Sequence, residues 1–273
     1  MKSSLSSIRH SLRFATLVAA TMLLPPLALA QTPATQPPAA DTQKFSPDQR
    51  RDIENIIKDY LVQHPEVLQE AMDALDKRQK QADADKARTT IKDNNATIFN
   101  SAHQVVLGNP KGNVTMVEFF DYNCGYCKRA LPDMVDLLKT DPDLKFVLKE
   151  FPVLGEGSVQ AAQVAAAVRM QDKSGGKKYL DFHQKLLGGR GPADKARALA
   201  AAKDAGLDTA RIEKDLESPE VKATIEENFK LAEAMGMNGT PSYVIGKQVV
   251  IGAVGLDGLK EKIGIARCGK ATC

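Results

Sequence analysis

The chain has 273 residues, with 37 Lys and Arg against 34 Asp and Glu, a formal charge of +3. Three of the basic residues (Lys2, Arg9, Arg13) and no acidic ones fall in the first thirty positions, so the remainder carries 34 of each sign. That balance excludes a nucleic-acid surface, which needs surplus Lys and Arg to neutralise phosphates.

Residues 1–30 read as a signal segment. A basic start precedes the apolar run Phe14 to Leu24, then Pro25-Pro26, then Ala28-Leu29-Ala30 as a small-x-small cleavage site. Removing those 30 residues from 273 leaves 243. The apolar run is short for a bilayer, although an uncleaved anchor is the other reading. Residues 31–46 are rich in Pro, Ala, Thr and Gln, the composition of a disordered leader.

Residues 47–92 read as an N-terminal helical region. Ser46-Pro47-Asp48 is a helix start, and Ile53, Ile56, Ile57, Tyr60 and Leu61 share one face. Pro65 breaks the helix near His64. A second segment carries the stripe Val67, Leu68, Ala71, Met72 and Leu75, then runs into the polar tract Lys77 to Thr90. These stripes are buried either by self-association or by folding back on the main domain.

The main domain is expected over residues 96–267. Ile98 to Asn100 and His103 to Pro110 read as a short strand region, and Val114 to Phe120 as the central strand. A helix follows Cys124 and carries Pro132 inside its apolar pattern, which predicts a kink. Leu144 to Leu148 is a second strand, so strand, helix and strand make a right-handed βαβ unit with a parallel pair. Residues from about 158 to 237 form a helical insert. Strands resume at Ser242 to Ile245 and Gln248 to Ile251, and a last helix covers roughly Gly255 to Ile265. The order is that of a thioredoxin-like α/β fold, with a Cys-containing tail at 268–273.

The chemistry concentrates at Cys124-Gly125-Tyr126-Cys127. A sulfur at a helix N-terminus meets unpaired amides and the positive end of the helix dipole, which favour a thiolate. Cys124 is therefore the expected exposed nucleophile and Cys127 the resolving thiol one turn on. Half a zinc knuckle completed by Cys268 and Cys273 is the structural alternative. Neither Gly125 nor Tyr126 puts a positive charge beside Cys124, and Lys128 and Arg129 suit a solvated face. Glu118, in an apolar strand, could handle the Cys127 proton with Lys149 as its ion-pair partner; both could also be strand-end residues facing water. Thr240-Pro241 precedes a strand, where a cis proline would present the Thr240 backbone to an extended client. Cys268 and Cys273, placed past the last helix, form a structural bridge or a second redox pair.

Phe119 to Cys127, Lys149 to Gly155 and Gly239-Thr240-Pro241 together resemble the DsbA-like family of bacterial periplasmic thiol-disulfide oxidoreductases, closest to its ScsC-like and Com1-like branch. The resemblance implies a periplasmic enzyme with Cys124 as nucleophile, Cys127 as its partner, Glu118 as buried acid and Pro241 as cis proline. It also implies that Phe45 to Lys80 serves oligomerisation, as a trimer or dimer. The best-known oxidases of the family carry Pro-His between the cysteines. Gly-Tyr implies a weaker oxidant, hence an isomerase or reductase of exported proteins; a monomeric dithiol oxidase and a copper-handling protein are the alternatives. No stretch resembles a flavin or nicotinamide site, so no cofactor is expected, and electrons arrive from a membrane redox partner that the sequence does not identify.

Overall fold

The computed structural model describes residues 45–273. The expected signal segment and all but the end of the expected leader lie outside them. The chain divides into two compact units, one up to His64 and one from Pro65.

In the first unit Ser46 caps α1 (Pro47–Gln63) through a reciprocal pair of bonds with Gln49. A residue before proline is disfavoured in helical geometry. His64 accordingly leaves it at φ −126°, ψ 64°. No residue of α1 is buried, and Ile56, Ile57 and Tyr60 lie on its exposed surface.

The second unit opens with α2 (Pro65–Asp93). The polar tract from Lys77 is helical throughout, because Gln, Lys, Arg and Ala are good helix formers. Ile91, near its C-terminal end, is buried. A short helix, α3 (Asn95–Asn100), stands where the sequence suggested a strand at Ile98 to Asn100. The Ile98 amide bonds back to the Asn94 carbonyl at 2.9 Å, closing a helical turn that buries Ile98.

The strands are β1 (Val105–Gly108), β2 (Val114–Phe120), β3 (Leu144–Glu150), β4 (Ser242–Ile245) and β5 (Gln248–Ile251). They form one sheet in the order β1-β3-β2-β4-β5. β2 and β3 are parallel, joined by α4 (Gly125–Thr140), and the other pairings are antiparallel. This is a mixed-sheet, thioredoxin-like α/β core. β2 is central and buried on both sides, which explains its nearly continuous apolar run.

Strand alternation separates two cores. Met116, Phe120, Phe146, Leu148 and Tyr243 lie in one, with Cys127 and Met134 of α4. Val117, Phe119, Val147 and Val244 lie in the other, with Ile91 and Ile98. The helical insert comprises α5 (Glu156–Gln171), α6 (Lys177–Leu187), α7 (Lys195–Asp204), α8 (Thr209–Asp215) and α9 (Pro219–Ala234). Small side chains (Ala161, Ala162, Ala165, Ala166) let one face of α5 pack closely inside it.

The last helix, α10 (Gly255–Cys268), runs three residues beyond its expected end. Cys268 is thus inside the helix and not past it. Gly269, at φ +80°, supplies the left-handed stop that other residues resist. Among the described residues no helix is long and apolar enough to cross a membrane.

Candidate active site

The dithiol stands where β2 gives way to α4. Cys124 is the N-cap residue of α4, and its amide donates to the Asp121 carbonyl at 3.1 Å, closing a tight turn. Both cysteines are free thiols. Cys127 lies one turn on and is fully buried.

Cys124 was expected to be exposed, yet only 6 % of its surface is accessible. The cis Thr240–Pro241 peptide lies against it, and the Cys124 thiol donates to the Thr240 carbonyl at 3.1 Å. Gly125 beside Cys124 is exposed and has no side chain. Tyr126 next to it is 59 % exposed, with the Arg129 guanidinium 4.2 Å over its ring. Lys128 turns its ammonium to the carbonyls of Gly189 (3.4 Å) and Gly191 (3.2 Å) in the insert. Arg129 thus stays on a solvated face, whereas Lys128 is tied to the insert.

Glu118 is buried on the same face of β2 as Met116 and Phe120. Among the described residues nothing donates to its carboxylate. Burial, and then the charge of Asp133, push its pKa up to about 8. Burial also pushes the Cys127 thiol well above its ordinary value, and the Glu118 charge adds to that. Hydrogen bonds from the Asp121 backbone and the Thr240 side chain act on Cys127 in the opposite direction. The charge of Glu118 is thus felt at the Cys127 thiol.

Lys149 does not partner Glu118. In the parallel register Lys149 stands beside Phe119, one residue out of phase with Glu118, so their side chains leave opposite faces of the sheet. Lys149 instead pairs with Glu227 at 3.1 Å on the face covered by α9.

Sequence reasoning gave no role to Asp121 or Asn123, which the structure places at the centre of the turn. One Asp121 oxygen accepts from the Asn123 amide (2.7 Å) and the Ser158 hydroxyl (2.7 Å). The other accepts from the amides of Val153 (2.8 Å) and Leu154 (2.9 Å). Asn123 in turn donates to Ser158 Oγ (2.9 Å) and the Ala193 carbonyl (2.9 Å), and accepts from the Ala193 amide (2.6 Å). An Asp two residues before the amide it caps is a turn signal legible in sequence; the partners in the insert are not.

Behind the turn, Tyr122 is buried with its hydroxyl 3.3 Å from His183 Nδ1 and 3.4 Å from the Tyr179 hydroxyl, which donates to Glu150 at 2.6 Å. Burial lowers His183 to about 3, so the imidazole is neutral there.

Far from the dithiol in sequence, Cys268 and Cys273 form a disulfide with their Cα atoms 6.1 Å apart. They are therefore not ligands of a knuckle shared with Cys124 and Cys127. Among the described residues no group of three or more His, Cys, Asp or Glu is placed to hold a metal.

This fold and dithiol define the class of thioredoxin-fold thiol-disulfide oxidoreductases. The chain belongs to the DSBA-like thioredoxin domain family, which it matches over residues 115–264. Residues 49–82 match the N-terminal domain of the copper resistance protein ScsC. Among solved structures, a thioredoxin-like oxidoreductase from Silicibacter pomeroyi DSS-3 is 44% identical, covering 63% of this chain and 96% of that one, with a TM-score of 0.59. Proteus mirabilis ScsC in a transitional conformation is 29% identical, covering 82% of this chain and 97% of its own, with a TM-score of 0.59. Disulfide bond formation protein D of Bacillus subtilis is 26% identical over 170 residues, 59% of this chain and 75% of that protein. The chain spans only 22% and 25% of two further curated relatives, the Na(+)/H(+) antiporters NhaA of Herminiimonas arsenicoxydans and NhaA 1 of Salinispora arenicola.

Proposed function

We propose that this chain is a periplasmic protein disulfide isomerase or reductase that acts on exported proteins through a mixed disulfide with Cys124. The observation that carries the chemistry is the dithiol at the start of α4 with Glu118 buried near Cys127 and the Thr240 carbonyl on Cys124. The Cys124 thiolate attacks one sulfur of a wrong client disulfide and expels the other as a client thiolate. A correct client thiol then attacks the mixed disulfide and releases Cys124, which is isomerisation. Alternatively Cys127, giving its proton to the Glu118 carboxylate, attacks Cys124 and frees the reduced client. The Cys124–Cys127 disulfide so formed must be reduced again by a membrane partner. In that reverse step neutral Glu118 returns the proton to Cys127.

Three observations favour this direction over oxidation. Gly125 and Tyr126 bring no positive charge between the cysteines. Residues 49–82 match the ScsC N-terminal domain. The stripe of α1 is exposed, with Ile57 52 % accessible, as a self-association surface requires. The oligomer is a trimer or dimer, with several dithiols gathered about one client.

The test is light scattering on the exported chain, with recovery of a scrambled-disulfide substrate on the same sample. Both are repeated on a chain starting at Pro65, where the second compact unit begins. An oligomer that unscrambles, beside a shortened chain that does not, supports the reading. A full-length monomer that oxidises reduced clients quickly and unscrambles poorly makes it a plain dithiol oxidase.

A further inference from the structure

The reacting sulfurs account for Cys124, Cys127, Glu118 and Thr240. They leave unexplained why a carboxylate is buried at position 121, three residues from the nucleophile. Asp121 is 1 % accessible and no cation pairs with it among the described residues. Such burial is costly unless hydrogen bonds replace the lost water. Here four donors do so, from three separate segments: the Asn123 amide in the dithiol turn, the Val153 and Leu154 amides after β3, and the Ser158 hydroxyl in α5. Two oxygens with two donors each leave little freedom for the carboxylate to rotate.

The backbone of the same residue faces the dithiol. The Asp121 carbonyl accepts from the Cys124 amide at 3.1 Å. Asn123 repeats the tie on the other side of the turn, through Ser158 and the backbone of Ala193. Gly157 makes room for this: a Cβ there would meet the Ala193 carbonyl at 2.8 Å. The turn from 121 to 124 is thus held at both alternate side chains by the insert, while its backbone carries the sulfurs.

Resting on the oxidoreductase reading, we propose that Asp121 is a positioning residue for the dithiol: its four-donor clamp, tying the turn to the segment after β3 and to Ser158 of α5, sets the balance between the reduced and disulfide forms of Cys124–Cys127. The clamp described here belongs to the dithiol form, since both cysteines are free. Closing the disulfide draws Cys124 toward Cys127 and pulls on the Asp121 carbonyl and the Asn123 amide. The intact clamp therefore favours the dithiol. Weakening it shifts the balance toward the disulfide.

The experiment equilibrates the full chain with reduced and oxidised glutathione and reads the fraction of dithiol. Each disulfide reduced takes two electrons and two protons from two glutathione thiols, which leave as oxidised glutathione. Asp121→Asn turns one accepting oxygen into a donor facing other donors, and Ser158→Ala removes a single donor. We expect Asp121→Asn to shift the equilibrium about tenfold toward the disulfide, ~30 mV for a two-electron couple, and Ser158→Ala to shift it less in the same direction. The thermal midpoint of the reduced form should fall further than that of the oxidised form, since the redox shift and the two stabilities close one cycle. Equal losses in both forms with an unmoved equilibrium would make Asp121 merely structural and overturn the proposal. If Asp121→Asn does not fold, Ser158→Ala decides alone, and an unmoved equilibrium there overturns it too. A wild-type dithiol that never exchanges with glutathione sinks the oxidoreductase reading and this proposal with it. A wild-type that exchanges beside unmoved variants sinks only the clamp.

Discussion

Cys124 and Cys127 stand at the N-terminus of α4, whereas Cys268 and Cys273 flank the C-terminus of α10. The first pair is a free, buried dithiol and the second an exposed disulfide. Helix polarity explains much of the contrast. First-turn amides stabilise a negative sulfur, while last-turn carbonyls repel one. The surroundings supply the rest. The dithiol has a buried acid near it and a peptide carbonyl against it. The disulfide instead closes a short tail folded back on Gly264, where a Cβ would meet the Ala271 carbonyl at 2.5 Å. Two cysteines near a helix end therefore do different work according to which end it is and what is packed against it.

The largest expected effect is on the first pair. Cys124→Ser should bring thiol-disulfide exchange to background, and Cys127→Ser should accumulate client mixed disulfides on a non-reducing gel. Retained exchange in Cys124→Ser would exchange the roles given to the two pairs.

Glu118→Gln comes next. Closure of the Cys124–Cys127 disulfide should slow roughly a hundredfold, the scale of general acid–base help. Its pH signature has a definite sign. The carboxyl titrates at about 8 in the fold against an ordinary 4.5, so below that lower value it is neutral in both states and costs nothing. As pH rises from there, the unfolded chain ionises first, and wild type loses ~1.4 kcal/mol per pH unit relative to the variant until pH reaches the folded value. Denaturant titrations at pH 5 and pH 8 read the difference, and an equal gap at both would refute the buried acid.

His183 gives an acid-side effect. Burial holds it near 3 against an ordinary 6.5, so the unfolded chain takes up the proton first as pH falls. Stability should decline by ~1.4 kcal/mol per unit below that ordinary value, and His183→Phe should flatten the decline. A slope unchanged by the substitution assigns acid sensitivity elsewhere.

The smallest effect belongs to the second pair. Replacing Cys268 and Cys273 by Ser together should cost about 2 kcal/mol from the short loop they close. That is a few degrees in thermal midpoint, with exchange activity unchanged. Lost activity at normal stability would mark this pair as a second redox centre.

Much of this was legible along the chain. Proline at 65 acts through local backbone geometry and β2 is a short apolar run, so the α1–α2 break and the central strand can be read from sequence. The dithiol at a strand-to-helix junction was legible for the same reason. The strand expected at Ile98 was not, because a short apolar run fits either period and only its burial beside Val117 and Phe119 selected the helix.

Pairings across the fold escaped the sequence altogether. Glu118 and Lys149 looked like partners until the parallel register put Lys149 beside Phe119 and on the face that meets Glu227. Asp121 was given no role along the chain, and Val153, Leu154 and Ser158 reach it only because β3 and α5 return to the dithiol. The Thr240 carbonyl arrives from more than a hundred residues away. By itself the sequence determined most of the elements and the reacting sulfurs, since these follow from neighbours in the chain. Which charges meet, and how closed the site is, were decided by sheet register and the docking of the insert, because hydrogen bonds and desolvation depend on distance in space.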